Sequence, residues 1–139
     1  MTFFMQRDGW KFLANMIAGS SLKIDGMYAE YSDSGIVINE RSHDKYKLDS
    51  NIKYIRVPIA NAYVDDNNVV NFTGYIDESD IPKDISENSA IRCITLVSFD
   101  KEYPDRDILV STVGLKAPVK LLNNTYIVLH AGFKLGDIK

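Results

Sequence analysis

The stretch Ile52-Lys53-Tyr54-Ile55-Arg56-Val57-Pro58-Ile59-Ala60-Asn61-Ala62-Tyr63-Val64, then Asp65-Asp66-Asn67-Asn68, then Val69-Val70-Asn71-Phe72-Thr73-Gly74-Tyr75-Ile76, decides the fold class. In its first part Tyr54, Arg56 and Pro58 alternate with Ile55, Val57 and Ile59. That is the period of a strand with one buried face. Asp and Asn form turns because their short side chains bond nearby backbone and tolerate left-handed geometry. The return run is rich in β-branched and aromatic residues. The whole reads as a β-hairpin. Pro58 has no N–H to donate to a ladder, so it is expected at an edge, a bulge or a strand end.

Strand signals continue toward the C-terminus. Asp77–Ser89 is an acidic loop containing Pro82. Ile91–Phe99 is dense enough in branched residues to be buried on both faces. Asp100–Arg106 is a turn, and Asp107–Leu115 returns as the second arm of another hairpin, interrupted beyond by Pro118. Asn123-Asn124 turns into a closing strand, Thr125–Leu135. Toward the N-terminus, Leu22, Ile24 and Tyr28 alternate, with Gly26 read as a turn or bulge. Ser32-Asp33-Ser34-Gly35 reads as a turn and Ile36-Val37-Ile38 as a short strand. Residues 39–50 are polar and lack a clean period, a long loop with room for a short helix.

One helix comes first, over residues 8–18. Asp8 stands at its cap, and Trp10, Leu13, Met16 and Ile17 fall at helical spacing with Phe12 beside them. Gly19 is its expected stop. About seven strands and one helix predict a mainly β chain. The expected architecture is an antiparallel β-sandwich, Greek-key or jelly-roll-like, forming one domain over residues 1–139 with the helix docked on it.

Composition bounds the function. The chain has 139 residues, 45% hydrophobic and 25% charged, the proportions of a globular domain. No apolar run approaches the ~20 residues that span a bilayer, and Met1–Trp10 lacks the basic and apolar regions of a signal peptide. No membrane partner is expected. A net charge of −3 argues against nucleic acid as a partner. The acid is concentrated between Asp65 and Asp107, which reads either as solvated loops or as a face for a basic partner. Cys93, the single cysteine, rules out a disulfide framework and is expected to be buried and unreactive in its apolar strand.

Catalytic and metal signatures are weak. Ser42-His43-Asp44 holds the residue types of a hydrolase triad, but contiguous residues cannot converge in that geometry. His130 is expected as a hydrogen-bonded strand histidine. Asp77-Glu78-Ser79-Asp80 and Asp65-Asp66-Asn67-Asn68 match no calcium-ligand spacing and read as turns. The glycines never cluster into a phosphate cradle. No enzyme activity, cofactor or metal is expected. The tyrosines, with Trp10, suit either strand packing and subunit contacts or a sugar-binding platform.

Several segments of the second half follow a pattern. They are Val70-Asn71-Phe72-Thr73-Gly74, the acidic Asp77-Glu78-Ser79-Asp80, Ile91-Arg92-Cys93-Ile94-Thr95-Leu96, Ile108-Leu109-Val110-Ser111 and Tyr126-Ile127-Val128-Leu129-His130-Ala131-Gly132-Phe133. In this order they resemble small tailed-bacteriophage virion structural proteins of the tail and tail-fibre region. The commonest form of those proteins carries a Glu-(Ile/Val)-Gly-Leu run where this chain has Cys93-Ile94-Thr95-Leu96. The resemblance implies a non-enzymatic structural component of a bacteriophage virion, made in the host cytoplasm. It would join or decorate tail or head components through protein–protein contacts. Other virion proteins, or further copies in a homo-oligomer, are the expected partners. Trp10, Phe12, Leu13 and Ile17 are the candidate interface residues. The alternative is a carbohydrate-binding β-sandwich acting in receptor recognition.

Overall fold

The computed structural model describes residues 3–49 and 51–134. Seven strands form one antiparallel sheet: β1 (Phe3–Met5), β2 (Gly26–Ser32), β3 (Lys53–Val64), β4 (Val69–Ile76), β5 (Ala90–Ser98), β6 (Ile108–Lys120) and β7 (Ile127–Lys134). Their order across the sheet is β1-β6-β5-β2-β3-β4-β7. Helix α1 (Gly9–Ile17) precedes β2, and helix α2 (His43–Leu48) lies between β2 and β3. The chain is mainly β, as the periodicity predicts.

The sheet curls because β3 serves two sets of neighbours. Its first half pairs with β2 as far as Pro58 opposite Gly26. The strand then bulges between Ile59 and Asn61, and its second half pairs with β4. A bulge bends a strand and increases its twist, so β4 and β7 fold back over β2, β5 and β6. Pro58 stands at this changeover, where a missing donor costs least. Phe3 of β1 meets Phe133 of β7 edge-to-face, their rings 5.3 Å apart, so side chains bridge the two ends of the sheet. Met27, Ala29, Ile55, Val57, Ile94 and Leu96 face Phe72, Ile76, Leu129, Ala131 and Phe133 across the sandwich-like interior. Gly74 keeps that interior close: a Cβ there would stand 2.9 Å from Val57 and 3.3 Å from the Met27 sulfur.

Helix α1 starts one residue later than expected. Asp8 occupies the cap position, but its side chain makes no capping bond; its carbonyl accepts from the Phe12 N–H instead. At the other end Gly19 takes φ +102, and the Gly19 and Ser20 amides donate to Met16 and Asn15. That is a Schellman stop, which needs the left-handed geometry glycine supplies.

Three local expectations are corrected. The strand read around Leu22–Tyr28 begins only at Gly26, whose missing Cβ makes room for the Phe99 ring, and runs on through Ser32. Ile36-Val37-Ile38 forms no strand; it lies in an irregular strap, from Asp33 to Ser42, that leads into α2 and is tied to the sheet through Arg41. Pro118 does not end β6. The β5–β6 register passes from Cys93 opposite Gly114 to Ile91 opposite Val119, so residues 115–118 loop out and pairing resumes beyond them. The three-residue strand β1 was not anticipated. Of the closing strand, Leu135 lies outside the described residues.

Candidate functional site

Two layers of chemistry flank the central strands, and side-chain alternation creates them. On β2, Met27, Ala29 and Tyr31 point into the apolar interior, so Tyr28 and Glu30 point the other way. There they meet Thr95 and Cys93 of β5, and Arg56 and Tyr54 of β3, at the same register positions. The strap and α2 cover this outer layer, so both faces of β2 are buried.

Glu30 and Arg41 form an ion pair at 3.1 Å with both side chains wholly buried. Glu30 also accepts from the Thr95 hydroxyl at 2.6 Å and from the Tyr46 hydroxyl of α2. Arg41 donates to the Val37 carbonyl at 2.8 Å and to the carbonyl and side chain of Asn39. Gln6 completes the layer. Its Oε1 accepts from the Arg41 amide at 2.6 Å, and its Nε2 donates to Thr112 at 2.7 Å and to the Asn39 carbonyl at 3.2 Å. A buried charge is tolerable only when it is paired and its remaining bonds are made. This network meets that condition, and it fastens the strap.

A second cluster centres on Asp107, whose side chain is also fully buried. It accepts from the Tyr28 hydroxyl at 2.5 Å, from Arg56 Nε and Nη2 at 2.9 and 3.1 Å, and from the Asp100 amide at 2.7 Å. His43 Nε2 lies 3.1 Å from the same Tyr28 hydroxyl. Tyr54 stacks on Tyr28, and Tyr46 meets the Tyr28 ring edge-on and the Tyr54 ring at a tilt. Burial, then the Asp107 hydrogen bond, raises the Tyr28 phenol far above its ordinary value, so it stays protonated. Burial lowers His43. His43 and Asp107 therefore meet only through a phenol, and the carboxylate has its lone pairs committed. The cluster's groups are occupied with one another.

The residues singled out from sequence are dispersed. Ser42 caps α2, its hydroxyl accepting from the Lys45 amide at 3.2 Å, while His43 turns toward Tyr28. His130 lies 3.2 Å from the Thr73 hydroxyl across the β4–β7 pair, a hydrogen-bonded strand histidine. Asp77 and Asp80 close a capping box on a short 3-10 turn. The Asp65 carboxylate accepts from Asn67, Val69 and Asn71, and those bonds lower its pKa. Among the described residues no group of three or more His, Cys, Asp or Glu side chains is placed to hold a metal ion. Among the described residues no helix is long and apolar enough to cross a membrane. Cys93 is buried, and burial raises its thiol to about 11.

The candidate interface helix divides. Phe12 is only 4% exposed and Leu13 packs partly buried against the domain's own core. Trp10 and Ile17 stay out, 44% and 90% exposed, with Met16 near them on the same helix. A second apolar area lies on the outer face of β4 and β7. Tyr75 and Tyr126 stack there at 5.8 Å, and Val128 stands opposite Tyr75 in the ladder. All three are exposed, while Ile127, Leu129, Ala131 and Phe133 alternate inward.

Sequence reasoning missed Gln6, Glu30, Arg41 and Asp107. One signal was available: Glu30 is a lone acid between Tyr28-Ala29 and Tyr31, inside an apolar run. A charge there demands a partner, though only the fold reveals which one. Compared with known proteins, the chain matches no family model, no curated protein and no solved structure.

Proposed function

We propose that the chain is a non-enzymatic structural subunit of a bacteriophage virion, joining tail or head components by protein–protein contact. The observation that carries the joining role is the pair of exposed apolar areas on different elements. Trp10, Met16 and Ile17 form one on α1; Tyr75, Tyr126 and Val128 form the other on the β4–β7 face. Exposed apolar side chains grouped on one element offer surface for a partner to cover, and such groups on two different elements suit a subunit with more than one neighbour, further copies or other virion proteins. The segments that carry the resemblance to tail and tail-fibre proteins support the virion assignment. They fall on β4, the acidic turn, β5, β6 and β7, which together build most of the sandwich.

Sedimentation of the purified chain at micromolar concentration tests the joining role. Self-association is expected, with Ile17→Asp or Tyr126→Asp reducing it while leaving the melting temperature unchanged. A strict monomer that also fails to bind any virion component would overturn the reading. Portal, tail or fibre genes beside this gene are the expected genomic context.

A second reading rests on the stacked Tyr75–Tyr126 pair, since exposed aromatic faces also bind sugar rings. A glycan array distinguishes it. Saturable binding lost in Tyr126→Ala would replace assembly with receptor recognition as the role of that face.

A further inference from the structure

The strap and the loop-out of β6 border an open groove of about 420 Å³. Ile36 and Ile38 line it from the strap, Leu115 and Pro118 from β6, and Cys93 from β5. Two cations, Arg92 and Lys116, join these apolar residues. Arg92 is the residue that the register shift leaves outside the β5–β6 ladder; its Nε donates to the Ser32 carbonyl at 3.3 Å. Neither cation makes an ion pair among the described residues. Asp33, the nearby acid, holds its carboxylate on the Ser86 and Ser89 hydroxyls.

The strap here has the composition of a strand but no ladder. Ile36-Val37-Ile38 is a run of three β-branched residues, the composition that favours a pleated partner. Val37 is 71% exposed. Its carbonyl accepts from Arg41, but Ile36 and Ile38 make no backbone hydrogen bond among the described residues. Unpaired backbone beside an apolar groove is the setting for strand addition, in which main-chain bonds supply affinity and side-chain positions supply specificity.

We propose that this groove receives an extended acidic segment of a partner protein, its backbone pairing with Ile36–Ile38 and its carboxylates facing Arg92 and Lys116. The two cations choose the sign of the occupant, and complementary charge speeds its capture. This chain's own acidic run Asp77–Asp80 is closed into a capping box, so that run does not supply a loose acidic strand from a second copy. The inference stands on the groove alone and does not rest on the virion reading.

The probe is a short fluorescent peptide alternating Val and Glu, titrated into the full chain, with a Val–Lys peptide as its control. Saturable binding of the Val–Glu peptide is expected, with amide shifts at Ile36–Ile38, Arg92 and Gly114. Lys116→Glu, at an exposed position, should weaken binding about tenfold and leave the spectrum of the fold intact. Arg92→Glu should act in the same direction. Equal binding of both peptides, shifts confined to the Tyr75–Tyr126 face, or no saturation at millimolar peptide would overturn the proposal. Self-association of the chain abolished by Lys116→Glu would also overturn it, by giving the groove to a second copy.

Discussion

The two faces of β2 are both buried, yet they are held by opposite means. Inward, Met27 and Ala29 meet Leu96 and Ile94 in an interior built from hydrocarbon. Outward, Tyr28 and Glu30 meet a layer of hydroxyls, an amide and two guanidinium groups. The inner face needs only volume and apolarity, so it tolerates exchange among residues of similar size. The outer face needs each partner in place, because an unpaired buried charge costs several kcal/mol. The difference teaches that burial in this fold is driven from one side and made specific from the other.

Breaking the outer face should have the largest effect. Arg41→Met leaves Glu30 buried without its cation and should cost about 3–5 kcal/mol, measured by urea unfolding near neutral pH. Adding Glu30→Met to that variant should recover most of the loss, since replacing both partners removes the uncompensated charge. A double variant no more stable than the single one would show that the pair is not the unit that matters.

Leu96→Ala on the inner face should cost about 3 kcal/mol by leaving a cavity, whereas Leu96→Met should cost under about 1.5 kcal/mol. If both lost the same amount, the interior would be as exacting as the outer layer and the comparison would fail.

Alkaline pH sharpens it further. Burial, joined by Asp107 at Tyr28 and by the Glu30 carboxylate at Tyr46, raises both phenols above their ordinary 10, and burial raises the Cys93 thiol from 9.0 to about 11. All three lie on the outer layer. In the unfolded chain they lose their protons first, so their contribution is fully present below about pH 9. It is lost as pH rises through about 11 for Cys93. The thiol alone accounts for on the order of 2 kcal/mol. Urea midpoints should therefore be flat to about pH 9 and fall above it, and native Cys93 should resist thiol reagents in the flat range. Rapid labelling of the native chain would contradict this.

The smallest expected change is Ser42→Ala. Removing the hydroxyl that caps α2 should cost about 1 kcal/mol and loosen the strap before the sheet, seen as faster amide exchange in α2 than in β5. Uniform exchange would mean that strap and sheet open together.

What the sequence determined by itself is what period and turn chemistry encode. The hairpin from Lys53 through Val64, the Asp65–Asn68 turn and the return strand Val69–Ile76 stand as read. So do the doubly buried β5, the Gly19 helix stop and the burial of Cys93. Each is local, set by a few residues and their neighbours in the chain. What tertiary structure alone decided is long-range. Ile36–Ile38 has the composition of a strand, but Arg41 and Gln6 hold its surroundings in a strap. Leu13 and Ile17 lie four apart on one helix face, yet docking packs Leu13 against the core and leaves Ile17 exposed. Glu30 stands out as a lone acid in an apolar run, but its pairing with Arg41, like that of Gln6 with Thr112, is not written in sequence, because a hydrogen-bond partner is chosen by where the fold brings two side chains, not by their spacing along the chain.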